Sequence, residues 1–308
     1  MTGSEAPAGH GHPADAISGP YTGVTPRESR STAFLWGPLI AYVLLRLGLP
    51  ALRIPSSPGL DVFWSTALAT LALWSAVGLG TSLRTRLRQV LVLAASVPVF
   101  ILIVRVVAPA ADGHWAVAVA SDLCQLVAAA AGGALLSSLV RESKVVPVLV
   151  VTVGLVDVVG VWFGGPVAIL IESKPDVVAA FSQKIPRPGS AVQPAGPGEA
   201  PRVSYLATAG LGDLVFVAFF FACVARFGLS YAPTLATTLV LGAAAMWLAT
   251  ARDLPVPALP FLAVGTLICN ARHFRYTRAE RFALLYGAVF LIGMCFLIVW
   301  GTQWLRSL

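Results

Sequence analysis

The sequence predicts an all-α, polytopic membrane protein of about nine transmembrane helices. Three observations carry this. Apolar residues make up 57% of the 308 positions, charged residues only 11%, and the mean hydropathy is +0.82, whereas a soluble globular chain carries about 25% charged residues. Apolar stretches near the roughly 20 residues that a helix needs to cross the hydrocarbon recur along the chain. The basic residues are split among the short connections between those stretches, which is the pattern of membrane topology signals.

Taken in order, the predicted membrane segments are 33–52, 61–80, 89–110, 115–140, 145–171, 203–227, 230–250, 254–270 and 281–305. Before them, residues 1–32 are rich in Gly, Pro, Ser, Thr and His with no apolar run. They read as a disordered polar tail, in place of the apolar core of a cleaved signal peptide. His10 and His12 in that tail are assigned no role. Segments within 33–140 form one group and those within 145–270 another. The connection 172–202 holds Pro175, Pro186, Pro188, Pro194, Pro197 and Pro201 and is expected to be a mobile loop. Residues 271–308 supply a basic loop and an extra C-terminal helix.

A net charge of +7 raises nucleic acid as a partner, but its division among short loops argues for a lipid bilayer instead. Arg84, Arg86, Arg88, Arg141, Lys144, Arg226, Arg272, Arg275, Arg278 and Arg281 fall on one side, with Arg27 and Arg30 of the tail. Positive-inside then puts the N-terminus in the cytoplasm and the long loop and C-terminus outside, and the expected location is the plasma membrane. Cys124, Cys223, Cys269 and Cys295 all lie in apolar runs and read as small buried residues. No metal, nucleotide or organic cofactor is implied.

Chemistry enters with intramembrane acids, which are expensive in lipid and mark function by default. Asp213 lies in an apolar run directly after Gly210, Leu211 and Gly212. The two glycines lack side chains, so another backbone can approach and the helix can loosen. Asp157 lies near the middle of the segment before it. At the helical rise, Asp157 is roughly 18 Å from the inner end of its segment and Asp213 roughly 15 Å from the outer end of the next. That brings the two carboxylates to similar depth. Such a pair is expected to share one proton and titrate as a unit, as in an aspartic protease. A structural reading, each acid bonded to a neighbouring helix, stands beside it. Asp122 has no motif, and a structural pairing with Arg105 is the expectation there.

A third signal is Leu254-Pro-Val-Pro-Ala-Leu-Pro260, with three prolines in six positions. They leave carbonyls without helical partners at a helix entrance, so this stretch is expected to border a cavity.

These residues resemble a known family. Gly210-Leu211-Gly212-Asp213 looks like the GxGD motif of presenilins and signal peptide peptidases, and Pro257-Ala258-Leu259 resembles their PAL motif. Asp157 falls where their first catalytic aspartate stands, and the run from Asp157 to Glu172 is similar to the presenilin stretch after that acid. The likeness covers roughly residues 145–270, which would form the catalytic membrane core, with 33–140 as scaffold. It implies a presenilin-like fold and an intramembrane aspartyl protease that cuts transmembrane helices. Asp157 and Asp213 would be its catalytic pair. Gly210, Leu211, Gly212, Pro257, Ala258 and Leu259 would shape the site. The substrates implied are single-pass helices or remnant signal peptides, with oligomeric state and accessory subunits left open. The chain departs from the pattern in carrying Val156 where the family has Tyr. It also has four predicted segments before Asp157 instead of five, and one extra after the Pro257 segment.

Two other functions fit some of the same acids. A prepilin-peptidase type of membrane aspartyl protease also pairs an aspartate with GxGD, but lacks the Pro257-Ala258-Leu259 feature. A proton-coupled transporter would use the acids to carry protons, and such proteins often show repeated halves, which are not evident here.

Overall fold

In lipid a backbone must satisfy its own hydrogen bonds, so long apolar stretches fold as helices. The computed structural model describes residues 32–52, 57–107, 115–163, 173–174, 181–188, 205–252 and 255–307. Nine α-helices occur among them: α1 (Thr32–Gly48), α2 (Pro58–Ser82), α3 (Arg86–Leu102), α4 (Trp115–Ser137), α5 (Val146–Trp162), α6 (Leu211–Arg226), α7 (Tyr231–Arg252), α8 (Leu259–Asn270) and α9 (Arg278–Ser307). A single turn of π-helix, Ile103–Val107, follows α3. Two short strands, β1 (Ser182–Pro186) and β2 (Tyr205–Gly210), pair antiparallel.

Among the described residues, six helices are long and apolar enough to cross a membrane: α2, α3, α4, α5, α7 and α9. The chain is therefore a polytopic, helical integral membrane protein. The nine predicted spans each find a helix, but α1, α6 and α8, at 17, 16 and 12 residues, are not among the six. The segment predicted over 203–227 is the most changed, because its first part is strand β2 and its helix starts only at Leu211. The connection 172–202 also differs from a mobile loop, since its residues 182–186 form β1, with Ser182, Gln183 and Ile185 buried. The two differences have one cause. Extended backbone inside an apolar bundle needs a partner strand, and β1 supplies it to β2. The polar tail over 1–31, Gly164-Gly165-Pro166 and most of the long connection lie outside the described residues.

Helix ends are set by local chemistry. Ser57 caps α2 by accepting from the Leu60 N–H, and Thr85 caps α3 by accepting from Arg88. Thr277 and Glu280 form a reciprocal capping box at the start of α9. Gly228, at φ +64°, ends α6 in a left-handed turn, and the Leu229 N–H returns to the Val224 carbonyl at 2.9 Å.

Helix α6 is the interior element. Leu214 and the run from Val217 to Val224 are buried along it. Two glycines let its neighbours come close at Ala218. A Cβ at Gly80 of α2 would lie 3.1 Å from the Ala218 Cβ, and one at Gly133 of α4 would lie 2.7 Å from the Phe219 nitrogen and press on the Val215 carbonyl. By contrast α9 is exposed along nearly its whole length, as a helix facing lipid would be.

The helices alternate between two ends. At one end the Arg226 guanidinium donates to the Ser137 carbonyl at 2.7 Å, Lys144 pairs with Glu280 at 2.7 Å, and the Ser230 N–H donates to Asn270 at 2.8 Å. At the other, Ser65 donates to Thr250 at 3.1 Å and Asp61 pairs with Arg187 at 3.3 Å.

The glycine contact gives a test of the core. Gly133→Ala forces α4 away from α6 backbone and should cost about 1–3 kcal/mol, read as a lower thermal midpoint in detergent. Gly132→Ala, whose Cβ would meet only a Leu93 methyl at 4.0 Å, should leave the midpoint in place.

Candidate functional site

The first acid, Asp157, lies two-thirds of the way along α5 and is partly buried. Its Oδ2 accepts a hydrogen bond from the Leu259 backbone N–H at 3.1 Å. Leu259 is the first residue of α8, with Pro260 behind it, so this N–H is one of the donors that a helix start leaves without an internal partner. The proline-rich lead-in was expected to free carbonyls; the group that reaches the site is instead this N–H. Pro257 and Leu259 are buried and Ala258 is half-buried.

Two contacts hold α5 beside that helix start. Gly154, one turn before Asp157, faces α8 so closely that a Cβ would lie 3.4 Å from Pro260 Cα and from Ala263 Cβ. Farther along, the Trp162 indole donates to the Pro255 carbonyl at 3.0 Å. The site therefore depends on a glycine that the motifs did not single out. Its signal was available, because residues three apart on a helix share a face.

The second acid, Asp213, sits in the first turn of α6, with Gly210 at the N-cap. The Gly210 N–H donates to the Asp213 carboxylate. This is the side-chain-to-backbone half of a capping box, and it gives Asp213 a structural task in any reading. A Cβ at Gly210 would lie 3.3 Å from Asp213 Oδ2, so glycine leaves the carboxylate room. Gly212 has nothing within 4 Å of a built Cβ, which corrects the expectation of close backbone approach there. Leu211, between the glycines, has its N–H tied to the Phe181 carbonyl at 3.2 Å.

Depth can be counted from the end where Val146, Arg226 and Asn270 lie. Asp157, Asp213 and Leu259 come out about 17–20 Å from that end at 1.5 Å per residue. Asp213 reaches this depth by a different route from the one expected, through strand β2 instead of half a helix. Asp157 meets the Leu259 N–H directly, and its charge is within electrostatic reach of Asp213. Beneath them, Val146 and Val150 of α5, Phe219, Phe220 and Cys223 of α6 and Ala263 of α8 form one apolar cluster. Beside that cluster a cavity of about 500 Å³ runs from Arg141 past Leu149 to Val153 and Phe216, one turn short of each acid.

The remaining acid, Asp122, is buried in α4 and pairs with Arg46 of α1, where pairing with Arg105 was expected. Arg105 is exposed in the π-helical turn. Val156 is likewise exposed on α5. Among the described residues no three His, Cys, Asp or Glu side chains form a metal-ligating group.

The Leu259 bond predicts a stability order. Asp157→Asn keeps an acceptor for that N–H and should unfold near the parent midpoint. Asp157→Leu strands the donor and should cost about 1–3 kcal/mol, measured by thermal unfolding in detergent.

Set against protein-family models, curated proteins and solved structures, the chain matches none.

Proposed function

We propose that this chain is an intramembrane aspartyl protease of the presenilin and signal peptide peptidase type, hydrolysing peptide bonds in transmembrane helices through Asp157 and Asp213. One observation carries the reading: two carboxylates and the backbone N–H of Leu259 converge at one depth inside an apolar bundle. Two like charges in such surroundings hold one proton between them. The ionised carboxylate takes a proton from water while the protonated one polarises the scissile carbonyl, and a tetrahedral intermediate forms. The N–H groups of Leu259 and Gly210 keep the two side chains in place through this exchange.

A helical peptide bond is shielded, with its carbonyl already bonded, so the substrate must unwind near the cut. Strand β2 ends at Gly210, three residues before Asp213. A substrate segment pairing in extended form along the sheet would bring its peptide bonds to the acids. The cavity reaching Val153 and Phe216 suits the apolar side chains of a transmembrane substrate. In this reading the end bearing Arg141, Lys144, Arg226 and Arg272 faces the cytoplasm of the plasma membrane, by the positive-inside rule. The substrates are single-pass helices or remnant signal peptides.

One observation favours a second reading. Helices α6 and α8, at 16 and 12 residues, start inside the bundle with their N-termini at the acids. Interrupted helices of this kind also form the sites of proton-coupled transporters. In those sites the free helix ends face a substrate; here Leu259 and Gly210 face the protein's own carboxylates.

The test is cleavage of a membrane-embedded helical reporter by the purified protein. Asp157→Asn and Asp213→Asn should each lower the rate by at least about 10³-fold at unchanged expression. A transition-state-type aspartyl protease inhibitor should block the parent. Full activity in either variant removes the paired-acid mechanism, and proton flux without cleavage supports the transporter.

A further inference from the structure

The strongest polar cluster outside the acids lies between α1, α4 and β1. Arg46 and Asp122 are 2% and 4% exposed, and Gln183 is 3% exposed. The Arg46 guanidinium donates both to Asp122 Oδ2 and to the Lys184 carbonyl of β1. The Gln183 amide donates to the Asp122 backbone carbonyl at 3.1 Å, and Tyr42 donates to Gln183 Oε1 at 3.4 Å. Every partner of this cluster thus grips β1, a segment that neither adjoins the acids in sequence nor carries a motif.

The grip is passed toward Asp213 through the two-stranded sheet. Lys184 pairs with Thr208, Gln183 with Ala209 and Ser182 with Gly210 across the sheet. The next residue toward the N-terminus, Phe181, accepts from the Leu211 N–H at 3.2 Å. Gly210 in turn donates to the Asp213 carboxylate. We propose that Arg46, Asp122 and Gln183 are positioning residues, a buried clamp that holds the Asp213 segment in register through β1 and β2. The consequence for turnover rests on the protease reading; the mechanical claim does not.

Two variants test it without stranding a buried charge. Gln183→Ala leaves the ion pair intact. The double substitution Arg46→Met and Asp122→Leu removes both charges together, so neither is left alone in the core. Backbone hydrogen exchange of the full chain in detergent is read at Gly210 and Leu211, with interior α7 amides as the folding control. The expected result is faster exchange at Gly210 and Leu211 in both variants, with α7 unchanged. On the helical reporter, kcat should fall about tenfold or more while KM stays within about twofold, because displacing a reacting group by an ångström is enough for such a loss. Parent-like exchange at Gly210 and Leu211 in both variants overturns the clamp, and faster exchange with kcat unchanged overturns its consequence for turnover. A parent that cleaves nothing removes the protease reading, and the exchange result alone then upholds or overturns the clamp.

Discussion

Backbone that leaves a helix inside an apolar bundle must find its partners within the protein, and this chain meets that demand at two places. Helix α6 begins only at Leu211, so the approach to it is extended and needs a neighbouring strand. Strand β1 is that neighbour, and it in turn needs the buried side chains of Arg46 and Gln183 to hold it. Helix α8 begins only at Leu259, and its first N–H finds Asp157. Sheet, clamp and acid contacts are all answers to the same requirement.

The packing decides where the two helix starts stand. Gly154 brings α5 against the opening turn of α8, and Gly80 with Gly133 fix α6 between α2 and α4. Each helix start presents a positive dipole end, which favours a negative side chain beside it. The result is a pair of acids set at mid-depth above an all-apolar cluster. Both acids are intermediate in burial, neither fully enclosed nor fully exposed.

Much of this was legible in the residues. Long apolar runs gave helices near the predicted places, because composition alone decides that a segment belongs in lipid. Asp157, Asp213 and the Pro257 stretch stood out because each breaks an apolar pattern. What the pattern did not contain was pairing between distant segments. A window centred on residues 203–210 is apolar enough for a helix, yet Gly210 and Gly212 weaken helical propensity and a partner strand earlier in the chain decides the matter. Arg46 was hidden for the same reason: periodicity tells which face of α1 is buried, but not that Asp122 and the Lys184 carbonyl wait there. Gly212 was overread, since a motif glycine suggests contact and here meets open space.

The capping tasks of the acids bear on how the site is understood. Asp213 bonds its own N-cap and Asp157 bonds the start of α8, so each carboxylate has a structural reason to exist. Stability alone does not account for the choice. A neutral Asn, Ser or Thr serves an N-terminal N–H as well, without carrying charge into the bundle. Nor does capping require two helix starts to face one another, which places like charges within reach in a poorly screened setting. A fold selected only for stability would separate these groups or neutralise one of them by substitution. Keeping two acids at one depth is what the proposed protease requires, because there a single proton must pass between the pair as it activates water against a peptide bond.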